Sequence, residues 1–181
     1  DKLERIIEEF SKLENIGFII SSKQETKLRA YNVLTLAWAP QNDILGHPST
    51  KLFINHGGWN SVLEGAYHGV PMLVCGWAWD RRLNAKLIEY RHIGLALIDE
   101  EEATPEKLKE SVMIILNDPS YQENVSKLSK VVKYRNGADQ SKYWIDYYFE
   151  QGVENLIVKP FYTMEFIQFY NLDVYFVIIA I

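Results

Sequence analysis

The sequence predicts an α/β fold built on a doubly wound parallel sheet, and three observations indicate it. Short apolar runs, typical of strands buried on both faces, recur along the chain. Segments with apolar residues at helical spacing separate these runs. This alternation favours parallel strands joined by helical crossovers. Polar candidate residues also follow the strands, at the edge where such sheets bind ligands.

The first half of the chain gives three strands and three helices. Leu3, Ile6, Ile7 and Phe10 recur at helical spacing and predict a helix over 1–13. Apolar runs predict strands at 18–20, 33–36 and 52–54. A short helix over 42–46 and a longer one over 60–68 follow the second and third strands.

The second half continues the alternation and then becomes helical. Strands are predicted at 72–75 and 95–98, with a helix over 83–91 between them. Thr104 and Pro105 have the residue types of an N-cap and a first helical position. Further helices are predicted to begin at Pro119 and to span 139–151.

Length and composition exclude several classes of protein. The 181 residues suffice for one ordinary domain with a core, and an apolar fraction of 48% excludes disorder as the overall state. The net charge of −5 gives no field that favours nucleic acid. The chain contains a single cysteine, so it has no intrachain disulfide and no cysteine-rich zinc site.

A stretch from 38 to 84 carries the chemistry. It contains Trp-Ala-Pro-Gln at 38–41, Asn-His-Gly-Gly-Trp-Asn-Ser at 55–61, Glu64, Gly-Val-Pro at 69–71, Asp80 and Asn84. The central part reads as a strand, a Gly-Gly turn and a helix with small polar residues in its first turn. A helix N-terminus attracts phosphate, and glycine allows the backbone to approach an anion closely.

These motifs and their spacing resemble the signature of the UDP-glycosyltransferases, which move a sugar from a UDP-sugar to a small lipophilic acceptor. The resemblance covers roughly 10–152 and extends into the tail. It implies the C-terminal, donor-binding half of a two-domain GT-B enzyme with a Rossmann-like sheet. It also implies an inverting transfer of glucuronate or glucose.

The resemblance also assigns roles to individual residues. Trp38 would stack on the uracil ring and Gln41 would bond the nucleoside. His56 would donate to the diphosphate, Glu64 would accept the ribose hydroxyls, and Asp80 would accept hydroxyls of the sugar. Gly58, Asn60 and Ser61 would form the phosphate-binding turn. Trp59, next to that turn, would either line the sugar pocket or pack against its helix.

The chain departs from the family pattern next to Asp80. Arg81 stands where the family normally has Gln, and it offers donors but no acceptor. Gly76, Trp77 and Trp79 are also atypical of this loop. Either Arg81 pairs with a glucuronate carboxylate or its side chain points to solvent or to an acidic neighbour.

The family's catalytic base, a His assisted by an Asp, belongs to an N-terminal domain, so no catalytic residue is expected within 1–181. We expect the chain to bind donor and to catalyse nothing alone. The alternative is a non-catalytic or degenerate nucleotide-sugar-binding subunit that acts with a partner chain. A dinucleotide oxidoreductase is excluded, because no G-x-G-x-x-G follows a strand.

No cofactor or metal is expected besides the UDP-sugar co-substrate. The histidines outside the motif, His47, His68 and His92, lack metal-ligand spacing. The expected partners are UDP-glucuronate or UDP-glucose, an acceptor held by the missing domain, and a membrane, with no nucleic acid.

The two ends of the chain suggest a piece of a longer, membrane-anchored protein. Residue 1 is Asp, and the chain ends within an apolar run at 174–181. That run is too short to span a bilayer, so we expect the start of a truncated membrane helix. The predicted domains are a donor-binding domain at 1–152 and a connector with this helix start at 153–181. By resemblance to animal members, and with a sequon at Asn124, the domain is expected in the lumen of the endoplasmic reticulum.

Overall fold

A computed structural model describes residues 2–134, 137–154 and 164–170. The chain divides into two compact units, 1–135 and 136–181. The first unit contains the five strands found among the described residues, and the candidate residues of the sequence motif. The second contains helix α7 and a short helix α8. The domain boundary at 152/153 stays a prediction.

The first unit alternates strands and helices in the predicted order. Its strands are β1 (Phe18–Ser21), β2 (Val33–Leu36), β3 (Phe53–Asn55), β4 (Met72–Cys75) and β5 (Gly94–Leu97). Its helices are α1 (Lys2–Ser11), α2 (Gln41–Gly46), α3 (Trp59–His68), α4 (Trp79–Tyr90), α5 (Pro105–Asn117) and α6 (Pro119–Tyr134). A 3₁₀ turn at Glu100–Glu102 precedes α5. In the second unit α7 spans Gly137–Gln151 and α8 spans Phe166–Phe169.

The strand pairs of the described residues, β1–β2, β3–β4 and β4–β5, are parallel, which confirms the predicted open α/β fold. The strands form two hydrogen-bonded groups, β1–β2 and β3–β4–β5. Strand β4 is central in the second group, and its residues Met72, Leu73 and Val74 are fully buried. This burial on both faces explains the continuous apolar run of β4.

One hydrophobic cluster connects the two groups of strands. Buried Phe10, Leu73 and Leu97 pack in it with residues of α5, and apolar residues of β1, β2 and β3 pack against it. A second cluster on the other side of β4 contains Val62 of α3 and Ile88 of α4. The carboxyl ends of the strands are thereby held in fixed positions.

The start of α4 corrects one prediction. The sequence places the helix at 83–91, whereas the structure begins it at Trp79, so Asp80 and Arg81 lie in its first turn instead of a loop. The N-cap position is Ala78, which has no side-chain oxygen, and Trp79 adopts φ 49°. The N-cap residue types that indicate a helix start are therefore absent here. Strand β5 also begins one residue earlier than predicted, at Gly94.

The predicted start of α5 is confirmed in detail. The hydroxyl of Thr104 accepts a hydrogen bond of 3.1 Å from the amide of Lys107, and Pro105 is the first helical residue. This helix start therefore follows the known preference for Thr at the N-cap and Pro at the first helical position.

Candidate functional site

The predicted site residues of 1–135 follow three parallel strands. Trp38 and Gln41 follow β2, and His56 and Gly58 follow β3. The chain after β4 runs through Gly76 into the first turn of α4. The predicted site residues therefore lie at the carboxyl ends of these strands, where open α/β sheets bind ligands.

The turn at 57–58 requires glycine at both positions. Gly57 adopts φ 81°, and a Cβ there would lie 2.9 Å from Cγ1 of Val74. A Cβ on Gly58 would lie 2.6 Å from Nε2 of His56, because the imidazole packs over this residue. Any side chain at position 58 would displace His56.

Two asparagines outside the assigned roles hold this turn. The side-chain oxygen of Asn55 accepts from the amide of Gly57 at 2.8 Å, and the Asn84 amide donates to the Gly57 carbonyl at 2.9 Å. Asn84 is buried, so its bond ties α4 to the turn from inside the protein. Both residues belong to the sequence motif, but the sequence alone does not predict their hydrogen bonds to Gly57. Nδ2 of Asn55 is buried beside the turn and has no partner within the described residues.

Helix α3 presents unpaired amides directly after this turn. Gly58 is its N-cap and offers no side-chain cap, and the first backbone bond of the helix runs from Val62 to the Gly58 carbonyl at 3.1 Å. The amides of Trp59, Asn60 and Ser61 precede that bond, so they have no partner within the helix. They are therefore available to an anion beside His56.

A hydrogen bond connects two of the three residues that the resemblance assigns to the nucleoside. The Gln41 side-chain amide donates to Oε2 of Glu64 at 2.8 Å, which joins the start of α2 to the middle of α3. The indole of Trp38, three residues before Gln41, is 76% exposed and has a free face. Gln41 and Glu64 are far apart in the sequence, so the sequence alone does not predict this bond.

The start of α4 packs against the glycine turn through its backbone. A Cβ on Gly57 would lie 3.0 Å from the carbonyl oxygen of Arg81, and one on Gly76 only 2.5 Å from the same atom. Gly76 therefore suits the path that this chain takes into α4. The side chains of Asp80 and Arg81 are exposed, and neither forms an ion pair with a described residue.

Cys75, at the end of β4, contributes no reactive thiol. Burial raises its pKa to about 11, so the thiol stays protonated at neutral pH. Within the described residues, no group of three or more His, Cys, Asp or Glu side chains is arranged to hold a metal ion. The described part of the chain also contains no helix with the length and apolar character needed to cross a bilayer.

One hollow of the first unit lies away from the motif. Its volume is about 340 Å³, and it is formed by the start of α1 and the segment 100–105. None of the predicted site residues lines it. The candidate residues instead form an open surface at the strand ends.

Comparisons with known proteins agree with this fold. The family model for UDP-glucoronosyl and UDP-glucosyl transferase matches residues 19–181. The human 2-hydroxyacylsphingosine 1-beta-galactosyltransferase is 32% identical over 82% of this chain and 28% of its own length. Mouse UDP-glucuronosyltransferase 1A9 is 33% identical over 84% of this chain and 29% of its own length. The chain thus spans less than a third of the curated relatives it matches.

Solved structures show the same fold. The glycotransferase of kitacinnamycin has a TM-score of 0.71 at 26% identity, covering 80% of this chain and 38% of its own. Os79 from O. sativa in complex with UDP has a TM-score of 0.64 at 25% identity, covering 73% of this chain and 32% of its own. With the family model matching most of its length, the chain belongs to the UDP-glycosyltransferase family.

Proposed function

We propose that this chain is the donor-binding half of a glycosyltransferase that transfers glucuronate or glucose from a UDP-sugar to a small lipophilic acceptor. The observation that supports it best is the bond between Gln41 and Glu64. It fixes the Glu64 carboxylate on α3, the helix whose first-turn amides are available to a phosphate. Os79, a relative in fold, is described in complex with UDP.

In this proposal each end of the nucleotide has its own partners. The uracil ring stacks on Trp38, and the ribose hydroxyls donate to Glu64. The diphosphate accepts from His56 and from the amides that follow Gly58 at Trp59, Asn60 and Ser61. Asp80 accepts hydroxyls of the sugar, and the exposed Trp59 and Arg81 flank it.

The transfer itself depends on groups outside this chain. The proposed inverting displacement needs a base to deprotonate the acceptor, and the family places that base in the acceptor domain. We therefore expect this chain to bind UDP without turnover and to need no metal. In the whole protein we propose that the domain faces the lumen of the endoplasmic reticulum, with the tail in the membrane.

The alternative, a non-catalytic nucleotide-sugar-binding subunit, is supported by Arg81 and Gly76 alone. The two proposals share the donor site and differ in turnover. Expression of the full-length transcript and an assay for sugar transfer separate them, because only the enzyme forms a glycoside.

Titration calorimetry with UDP tests the donor site. Glu64→Ala should weaken binding by about 1.5–3 kcal/mol, the range for a hydrogen bond to a charged group. Glu123→Ala, which removes an exposed carboxylate from α6, is the matched control and should leave the affinity unchanged. Circular dichroism verifies that both variants fold. Equal UDP affinity in all three folded proteins would contradict the donor-site proposal.

A further inference from the structure

Trp79, the first residue of α4, combines a strained backbone with an exposed side chain. Its φ of 49° lies in the left-handed region, which a bulky residue rarely adopts. Its indole is 94% exposed, so burial in the core does not offset the strain. A glycine would adopt the same backbone conformation without strain. The indole therefore stabilises neither the helix start nor the core, and its role has to be sought in binding.

The surroundings of the helix start impose this backbone conformation. The Arg81 amide donates to the Ala78 carbonyl at 3.0 Å, across Trp79. The Arg81 carbonyl packs so closely on two glycines that a Cβ on Gly57 or Gly76 would lie 3.0 Å or 2.5 Å from its oxygen. Strained residues persist where their neighbours fix the backbone in this way, and they cluster at sites that bind ligands.

Trp79 lies at the sugar end of the proposed donor site, because it directly precedes Asp80. Strands β3 and β4 are neighbours in the sheet, and the helices that follow them contact each other. Each of these helices begins with a tryptophan, α3 with Trp59 and α4 with Trp79. Trp38, the proposed partner of uracil, follows β2 in the other group of strands. Trp79 is therefore the exposed tryptophan that adjoins the proposed contact for the sugar hydroxyls.

An indole with open faces offers the contact that the ring of a sugar needs. In glucose and glucuronate the hydroxyls lie around the rim of the pyranose, and C–H bonds point to both faces of the ring. The negative face of an aromatic ring attracts such C–H groups, while a carboxylate accepts from the hydroxyls at the rim. Trp79 and Asp80 together provide these two kinds of contact.

We propose that Trp79 stacks on one face of the donor sugar while Asp80 accepts its hydroxyls. Trp79 then increases the affinity for the sugar part of the donor and leaves the affinity for UDP unchanged. The inference rests on the proposed donor site and goes beyond it, because the family resemblance assigns position 79 no role. Glucose and glucuronate both present a C–H face, so both donors should use this contact, in contrast to the carboxylate contact expected of Arg81.

Titration calorimetry with UDP and with UDP-glucose tests the proposal through the ratio of the two affinities. Trp79→Gly removes the indole and suits the positive φ, so the midpoint of urea denaturation should not fall. Its affinity for UDP-glucose should decrease about 3- to 10-fold, the effect of one aromatic contact, with the affinity for UDP unchanged. Trp79→Asn, which also tolerates positive φ, should give the same result. Tyr90→Ala removes an exposed aromatic ring from the other end of α4, and as the matched control it should change neither affinity.

Proton NMR of bound UDP-glucose gives the geometry independently. The ring protons on the stacked face should shift upfield in the wild type and in Tyr90→Ala, and this shift should be lost in Trp79→Gly. An unchanged ratio of the two affinities in Trp79→Gly, with both ligands bound, would overturn the role of Trp79 alone. So would an equal loss of affinity for UDP and UDP-glucose, because it would indicate a structural role. A wild type that binds neither ligand would contradict the donor site itself, and this inference with it.

Discussion

Asn84 shows how a single side chain holds the candidate site in shape. It projects from α4 into the protein and donates to the Gly57 carbonyl, whose residue needs positive φ. Without this donor the carbonyl stays buried and unpaired. A buried acceptor in that condition costs more free energy than the net value of an ordinary hydrogen bond.

We therefore expect Asn84→Ala to lower the free energy of unfolding by about 1–3 kcal/mol. Urea denaturation measures the change. Asn117→Ala, at an exposed position at the end of α5, is the control and should alter stability by less than about 0.5 kcal/mol. Equal stability of the two variants would mean that the bond to Gly57 contributes little.

Arg81 carries a second prediction at the residue scale. It lies in the first turn of α4 with an exposed side chain, next to Asp80. A guanidinium beside the sugar would pair with the glucuronate carboxylate in two parallel bonds, whereas glucose offers no such partner. We expect a 10- to 100-fold preference for UDP-glucuronate, about 1.4–2.7 kcal/mol.

Competition binding of the two donors measures that preference. Arg81→Gln should remove it, and Arg91→Gln, at the far end of the same helix, should preserve it. A preference for glucose that is identical in wild type and Arg81→Gln would mean that the Arg81 side chain points to solvent and does not contact the sugar.

At the scale of elements, ion pairs connect helix α1 to helix α5. The carboxylate of Glu9 accepts from Lys109 of α5 and from Lys12, which follows α1, and Arg5 of α1 pairs with Glu106 of α5 at 3.3 Å. The Glu9 side chain is only 12% exposed. Solvent therefore screens the ion pairs of Glu9 less than it screens the exposed pair of Arg5 and Glu106.

This contact makes stability depend on pH. The hydrogen bonds from Lys109 and then Lys12 hold the pKa of Glu9 below the ordinary value of 4.5. A depressed pKa contributes stability above the unfolded pKa, and that contribution disappears as pH falls from about 4.5 through the folded pKa. We expect the free energy of unfolding to fall in this window, and Glu9→Gln to flatten part of the fall.

Urea denaturation at several pH values between about 6 and 3 gives the comparison. Glu8→Gln, which changes an exposed neighbour, controls for the loss of one charge. If Glu9→Gln follows the pH dependence of the wild type, the pairs with the lysines do not contribute to folding.

The elements also show what the sequence could and could not reveal. Strand β4 and the start of α5 were predictable, because burial on both faces and the Thr104-Pro105 pair act through neighbouring residues. The start of α4 was not, because Ala78 is no capping residue and the helix begins where Arg81 packs on Gly57 and Gly76. The bond from Gln41 to Glu64 likewise depends on how α2 lies against α3.

At the scale of the whole molecule, the first unit places every predicted nucleotide contact on one scaffold. The motif residues from Trp38 to Arg81 all lie within 1–135. The second unit contributes none of them. Donor binding should therefore be independent of the tail.

The tail provides the last prediction. Of its described residues, Met164, Phe166, Ile167 and Phe169 are exposed and apolar, and the sequence remains largely apolar to the end of the chain, in residues outside the described ones. Such a surface promotes aggregation or binding of detergent. Deletion from Phe161 onward should give a chain that stays dispersed without detergent.

Light scattering and UDP calorimetry on the truncated and complete chains measure both effects. The truncated chain should scatter less and bind UDP with the same affinity, since residues 38–81 are untouched. Replacing Met164, Phe166 and Phe169 by serine in the complete chain is the matched control, because it removes apolar surface and keeps the length. Loss of folding on truncation would instead mean that the tail packs into the globular core, which contradicts its assignment to a membrane.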